Sequence, residues 1–555
     1  MSGLPSSANL GAAPPDPLDL LVIGGGINGC GIARDAAGRG LSVMLVEQDD
    51  LASATSQWSS KLIHGGLRYL EHYEFRLVAE SLAEREVLLR AAPHLIQPLE
   101  FVIPHEPHQR PRWMIRAGLY LYDFLGGKKT VPASQSVVLQ GSQKGAGLRA
   151  AYTRGFSYFD ARADDARLTI LNARGAADRG AMIAPFTRFV SAGVCAAASA
   201  AASAGVSAEV PADVRSGVAQ QASSAAPALW HVILQDVVTH RQTVQRARAI
   251  VNAAGPWVMR VQGGIKGLAP SRERVKHVKG SHIVVPRVHD EEHAYLLQNR
   301  DGRIVFVIPF HGQFTLIGTT DIPVEAWDAP AISENETQYL CKIASEYLAQ
   351  PITPRDVLWS YSGVRPLYDD GQANASAITR DYVLKLDTAA GAPLLNVFGG
   401  KLTTYRKLAE HALDKLAPHF PTLRTAGGAP WTHAAPLPGG DMEGGLAGFA
   451  ATLGRTYPWL PPEHLPGIAK RHGTLALDWL DGAKSLPDLG EHFGAGLYAA
   501  EVDHMIATEW AGCAPRATPQ QRTAAAAGIL MRRSKCGLFM NPQQTERLTD
   551  TLQSR

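Results

Sequence analysis

The chain has 555 residues, 45% hydrophobic and 19% charged, with Lys+Arg 54 against Asp+Glu 51 for a net charge of +3. That length suits roughly two to four domains with a sizeable core, and the even balance argues against a disordered chain or a dedicated nucleic-acid binder. The five cysteines (Cys30, Cys195, Cys341, Cys513, Cys536) form no CxxC pair, so neither a disulfide framework nor a zinc module is expected, no metal is called for, and a reducing compartment is the default.

Residues 1–17 lack a basic start and an apolar run, and read as a flexible Pro/Ala/Ser tail rather than a signal peptide. No uninterrupted apolar run of about 18 residues is present, so no transmembrane helix is expected. The first ordered element is the apolar run 20–23, typical of a strand buried on both faces. A helix from about Asn28 to Arg39 follows, then a strand at 43–46 ending in Glu47. Helical spacing runs from Phe75 to Leu89, where Pro93 stops it, and again from Asp165 to about Gly180 behind an acidic first turn. Residues 192–228 are almost all Ala, Ser, Gly and Val, and read as a low-complexity surface insertion. Strand-like runs return at 229–234, 249–251, 281–285, 304–308 and 314–318. A strand near 394–398 leads into Gly399-Gly400 and a helix from about Thr403 to Leu416. A Pro/Gly linker at 418–440 precedes a mostly helical remainder.

Gly24-Gly25-Gly26-Ile27-Asn28-Gly29 fits GxGxxG, with Gly24, Gly26 and Gly29 at the motif positions. A buried strand precedes it, a helix follows, and Glu47 ends the next strand, which is the context a dinucleotide site needs. The glycines admit a pyrophosphate to a helix N-terminus, and Glu47 can accept hydrogen bonds from an adenosine ribose. A tight turn without a ligand is the plainer reading. Residues 53–61 then pack five hydroxyls and a lysine. Thr55, Ser56, Ser60 and Lys61 are candidate contacts for a second phosphate and a flavin edge, against a solvated turn.

At Lys61-Leu62-Ile63-His64-Gly65-Gly66-Leu67-Arg68-Tyr69-Leu70 the chain resembles FAD-dependent, quinone-linked glycerol-3-phosphate dehydrogenases of the aerobic type. Further blocks carry the resemblance: 24–43, 61–89, 251–258 (VNAAGPWV), 279–289, 303–310, 317–321, 361–367 (YSGVRPL), 378–382 and 397–413 (VFGGKLTTYRKLAEHAL). It covers about 19–545 apart from insertions. The resemblance implies an α/β, DAO-type flavoprotein with a Rossmann-like FAD domain (18–92, 156–275, 365–416), a mixed-sheet substrate domain (93–155, 276–364) and an all-helical C-terminal domain (430–550). It implies oxidation of sn-glycerol 3-phosphate to dihydroxyacetone phosphate, with electrons passing through FAD to membrane quinone. A longer 192–228 stretch, Gln57-Trp58 before Ser59, an insertion at 515–528 and Met531 in place of an aromatic depart from the family pattern.

Oxidising a secondary alcohol moves a hydride, which no side chain accepts, so a cofactor is required. Gly400, Lys401 and Thr403, at a helix start, are expected to stabilise charge on the flavin, and Ala254-Gly255 lies at a second FAD turn. A phosphate dianion calls for arginine forks. Arg365 and Arg380 lead, Arg68 follows, and Tyr69 and Lys401 are further substrate contacts. For the hydroxyl proton, His282 is the expected base and His64 a flavin or substrate contact, with the reverse assignment open. Residues 110–122 mix cations with aromatic and apolar side chains, which suits an anionic inner-leaflet surface, against an ordinary packed helix. The expected location is therefore the cytoplasm and, peripherally, the cytoplasmic face of the bacterial inner membrane. A homodimer is left open. The alternatives are an FAD glycerol-3-phosphate oxidase using O₂ and an amino-acid or sarcosine-type flavin oxidase.

Overall fold

The structure is a computed structural model, and it describes residues 15–127, 129–195, 228–269, 271–369, 381–512 and 518–554. Its first sheet is built around the strand Leu18–Ile23, which pairs in parallel with Val43–Val46 on one side and Gln242–Asn252 on the other. Met182–Ala184 and Leu394–Phe398 extend the parallel order outward. Antiparallel strands Val383–Asp387, Leu229–Asp236 and Thr187–Cys195 complete it. Alternation sends Leu20 and Val22 to one face, against Ile32, Ile170, Leu408 and Leu413 of three covering helices. Leu21 and Ile23 go to the other, against Trp230 and Val232. Burial on both faces is why these strands read as unbroken apolar runs.

A second, mixed sheet carries Val275–Pro286 near one edge, antiparallel to Trp359–Tyr368 and to Phe314–Gly318. Val78, Leu82, Leu119 and Tyr122, from the helices Phe75–Ala91 and Arg112–Leu125, cover one face. Leu340, Ala344 and Tyr347 of the helix Glu334–Tyr347 cover the other. Ser333 and Glu336 cap that helix reciprocally, satisfying two backbone donors at its start. The register sets His282 opposite both Gly318 and Tyr361. The imidazole stacks on the Tyr361 ring, 4.8 Å between centroids, and a Cβ at position 318 would lie 2.1 Å from the imidazole.

The second sheet reaches further than the expected boundaries. Arg154–Ala163 pairs with Ile96–Pro104 and with Leu62–Ile63, so the return to the first layer comes at Asp164 and not at 156. The second-sheet strand through 364 runs on to Tyr368, which takes Arg365 away from the first layer. The strand Thr187–Cys195 overlaps the expected 192–228 insertion, with Ala192 buried in the first-sheet core. The rest of that insertion, residues 1–14 of the tail, Arg380 and 513–517 lie outside the described residues. The C-terminal region has helices Gly445–Thr456, Leu465–His472, Ala499–Glu509, Pro519–Ala527 and Pro542–Ser554. It also holds one short hairpin, His492–Gly494 with Leu497–Tyr498, and so is not wholly helical. Met531 packs at the edge of its core beside Ile529 and Leu530.

Gly318→Ala is expected to push the His282 ring off Tyr361 and to cost about 1–3 kcal/mol through overpacking. The measurement is the urea midpoint, and an unchanged midpoint would mean the ring has room to turn aside.

Candidate active site

The first strand delivers Gly24 in a left-handed conformation (φ +115°), where a Cβ would lie 2.5 Å from the Ala253 carbonyl oxygen. At Gly29, inside the first turn of the helix Ile27–Gly38, a Cβ would sit 1.9 Å from the Gly24 carbonyl oxygen. Neither position can carry a side chain, and the helix N-terminus is thereby exposed as backbone. Ser56 Oγ accepts from the Ile27 N–H at 2.9 Å, which places the hydroxyl run 53–60 at that helix start. Glu47 accepts from the Gly25 and Asp49 N–H groups at 2.7 and 3.0 Å, and burial raises its pKa. A backbone cradle at a helix N-terminus beside a half-buried carboxylate fits the phosphates and ribose of a dinucleotide.

Four separate loops meet around this cradle. Asn28 Nδ2 donates to the Gly399 carbonyl at 3.1 Å. Gly399 and Gly400 both have positive φ, and a Cβ at 400 would lie 2.8 Å from the Asn28 amide. Thr403 Oγ1 accepts from the His64 N–H at 3.2 Å and donates to its carbonyl at 3.3 Å. The Lys401 ammonium lies 4.0 Å from the centroid of the Tyr69 ring. A Cβ at 399 would be 3.6 Å from the Pro366 carbonyl, so the strand end carrying Arg365 joins the same place. Arg68 sits half-buried on the short turn Leu67–His72. Ala254 and Gly255 enter from the end of Gln242–Asn252, next to Gly24.

The ionisable groups are mostly committed to partners. Lys61 donates to both oxygens of Asp165, at 2.8 and 3.1 Å, and to the Gln57 carbonyl. Its ammonium is buried, and Asp165 supplies the counter-charge that burial demands. Asp165 also takes the Ser59 N–H and hydroxyl. Ser60 shares a hydrogen bond with His282 Nε2 at 2.9 Å. Burial, with Lys61 and Arg365 adding repulsion, pulls the His282 pKa down to about 3, so the ring is neutral at ordinary pH. Thr55 donates to the Val364 carbonyl at 2.7 Å, one residue before Arg365. Arg365, about a third exposed, donates to the Thr320 carbonyl at 3.1 Å and pairs with Asp321 at 3.3 Å.

Asn28, Asp165, Tyr122 and Asp321 were not among the sequence candidates. Asn28 lies inside the GxGxxG match, at a position the motif leaves open. Tyr122 accepts from the Gly65 N–H at 2.9 Å, a contact between segments 57 residues apart that no local pattern announces.

A family model described as FAD dependent oxidoreductase (DAO) matches residues 19–406. A glycerol-3-phosphate dehydrogenase of Pseudomonas aeruginosa is 48% identical over 553 residues, 99% of this chain and 98% of that protein. A D-erythritol 1-phosphate dehydrogenase of Brucella abortus is 47% identical over 501 residues, covering 90% and 93%. Among solved structures, the glycerol-3-phosphate dehydrogenase of Bacillus halodurans complexed with FAD superposes with TM-score 0.68 at 24% identity, over 99% and 97% of the two chains, and shows the shared fold. The cradle, the two layered sheets and these matches agree: the chain belongs to the FAD dependent oxidoreductase family of the DAO fold.

Proposed function

We propose that this protein oxidises sn-glycerol 3-phosphate to dihydroxyacetone phosphate, with electrons leaving through FAD to a membrane quinone. The observation that carries the reading is the convergence of the Gly24 cradle, the His64–Tyr69 loop, the Gly399–Thr403 loop and the Arg365 strand end on one place. FAD, when bound, supplies the hydride acceptor that no side chain can be. The chain's own residues do the rest. Arg365, with Arg68 and Lys401, gives a cationic grip for a phosphate dianion. Lys401 and the start of the helix Tyr405–Leu416 place positive potential beside the cofactor. His64 takes the hydroxyl proton. His282 is a weak base, because a ring with a pKa of about 3 has little affinity for the hydroxyl proton near neutrality. Its work is to hold Ser60. This reverses the roles expected for the two histidines.

Identity to a D-erythritol 1-phosphate dehydrogenase supports a second reading, a four-carbon polyol phosphate in the same grip. Anaerobic bleaching of the flavin band by each phosphate in turn separates the two. Peroxide yield with and without quinone separates dehydrogenase from oxidase.

Docking on an anionic bilayer, at the cytoplasmic face of a bacterial inner membrane, rests on the helix Arg112–Leu125. Trp113, Tyr120 and Phe124 are 69%, 58% and 65% exposed, and Tyr73 nearby is 80% exposed. Arg110, Arg112 and Arg116 flank them. The same helix buries Leu119 and Tyr122 inward, so its outer face is apolar for a reason other than core packing. No helix among the described residues is long and apolar enough to cross a membrane.

Arg365→Ala should raise the KM for the phosphate about 10–150-fold, the equivalent of a lost charge-assisted hydrogen bond of about 1.5–3 kcal/mol, with flavin content unchanged. Loss of flavin at constant KM would move Arg365 out of the substrate site. His64→Asn should cut kcat about 10²–10⁴-fold. His282→Asn should keep the shape of the rate profile between about pH 5 and 8, because His282 titrates well below that window. A limb that disappears with His282 would return the base to that ring. Exchanging Trp113 and Phe124 together for Ser should abolish co-sedimentation with anionic vesicles and slow quinone reduction, while reduction of a soluble dye continues. Undiminished sedimentation would remove the helix from membrane docking.

A further inference from the structure

The helical C-terminal region grips the first layer through buried ion pairs, and the acids it holds lie on or next to the segments that brace the cofactor cradle and the Ser60 loop. Arg532 donates to Asp50 Oδ2 through Nε and Nη2 at 3.0 and 2.7 Å. Arg533 donates to both oxygens of the same carboxylate at 2.7 and 2.8 Å, and to the Glu509 carbonyl at 2.7 Å. Lys535 donates to Asp164 Oδ1 at 2.9 Å. Arg167, on the helix Asp165–Ala177, closes a third tie to Glu509 at 2.5 Å. Arg533, Arg167 and Glu509 are wholly buried. Phe539 reaches past them to Phe314 of the second sheet, 5.6 Å between ring centroids.

The positions of the acids give these ties their meaning. Asp50 opens the turn that the Ser53 N–H closes on its carbonyl at 3.2 Å, and that turn lies on the glycine loop: the Ala52 N–H donates to the Gly25 carbonyl at 3.1 Å, and a Cβ at Gly25 would meet Leu51 at 2.8 Å. The Glu47 carboxylate holds the Gly25 N–H from the other side. Asp164 precedes Asp165, which fixes Ser59 and Lys61 on either side of Ser60. The two arginines hold Asp50 ionised, its pKa pulled to about 2 against the opposing effect of burial. An arginine removed from this pair leaves a buried carboxylate short of counter-charge, and the turn it opens must shift or take up water.

We propose that Arg533, acting through Asp50 with Arg532 beside it, is a positioning residue for the cofactor, so that FAD retention and docking of the C-terminal region are coupled in both directions. This rests on the FAD reading of the cradle. The coupling is reciprocal by linkage: whatever tightens FAD through the docked region must make bound FAD tighten the docking.

The test uses the full-length holoenzyme. Flavin release on dilution is followed by the recovery of free-flavin fluorescence in the parent, Arg533→Met, Asp50→Asn and the double variant. Release is expected to quicken at least tenfold in each single variant and by no more in the double, because both substitutions break one link. Arg547→Ala, on the helix Pro542–Ser554 and facing Glu491 within the C-terminal region, is the control and should release flavin at the parent rate. In parallel, trypsin should cut the C-terminal region of the parent at least tenfold faster when FAD is depleted than when it is saturating, and this difference should vanish in Arg533→Met. If Arg533→Met does not fold, Asp50→Asn carries the same expectation. A folded variant that keeps flavin within threefold of the parent rate, or additive effects in the double, overturns the coupling while leaving the FAD reading intact. A parent that takes up no FAD overturns both.

Discussion

Backbone touching backbone is the constraint that sets this site. The Gly24 turn and the Gly399-Gly400 loop are separated by more than 370 residues, yet the Asn28 amide spans them with one hydrogen bond of 3.1 Å. That approach is open only because side chains are missing from it. Positive φ at Gly24, Gly399 and Gly400 turns the chain where L side chains are strained, and the sub-3 Å distances around 24, 29 and 400 leave no volume for a Cβ. Both loops leave the same layer of parallel strands, so the buried sheet holds them in place. A polar ligand is then met by N–H groups whose positions are fixed before it arrives, and little ordering cost remains to be met on binding.

Charge in the site follows from the same burial. Ammonium and guanidinium groups pressed into a poorly solvated place need partners, and Lys61 and Arg365 have them in Asp165 and Asp321. Arg365 keeps part of its surface in solvent, which suits its proposed contact with a phosphate. Among the described residues His282 has no acid partner, and burial keeps its ring neutral. A neutral ring between Ser60 and Tyr361 adds orientation without adding a third cation near a dianion. The proposed division of labour between His64 and His282 rests on the surroundings of His282, since the two residues are chemically the same.

Most of the first layer was legible in the sequence because burial on both faces leaves unbroken apolar runs, and because glycine and a terminal acid mark one turn in a local pattern. The helix expected from Asn28 to Arg39 spans Ile27–Gly38, and the one expected to end at Leu416 ends there. Boundaries between layers were not legible. A strand such as Arg154–Ala163 looks alike in either sheet, and only its pairing with Ile96–Pro104 assigns it. The run from 192 hid a strand end for a related reason, since Ala and Val suit a buried edge as well as an insertion. Within the site, residue type gave the candidates and long-range pairing gave their partners. Lys61 beside a hydroxyl run suggests a phosphate contact, and nothing local announces its pairing with Asp165, 104 residues on.

The helix Arg112–Leu125 faces two ways, and its inner face bears on the chemistry as much as its outer one. Tyr122 donates to both oxygens of Asp160, at 2.9 and 2.7 Å, while accepting from the Gly65 N–H next to His64. Arg85 closes the network, binding Asp160 at 2.9 Å and Glu86 at 2.8 Å. A buried carboxylate with this set of partners cannot give up one of them without leaving a charge or a donor stranded, so the helix and the His64 loop move together or not at all. The face that presents Trp113 and Phe124 to solvent is therefore locked to the loop beside the cofactor cradle. Under the proposed membrane docking, that lock keeps the His64 loop at a fixed distance from the surface.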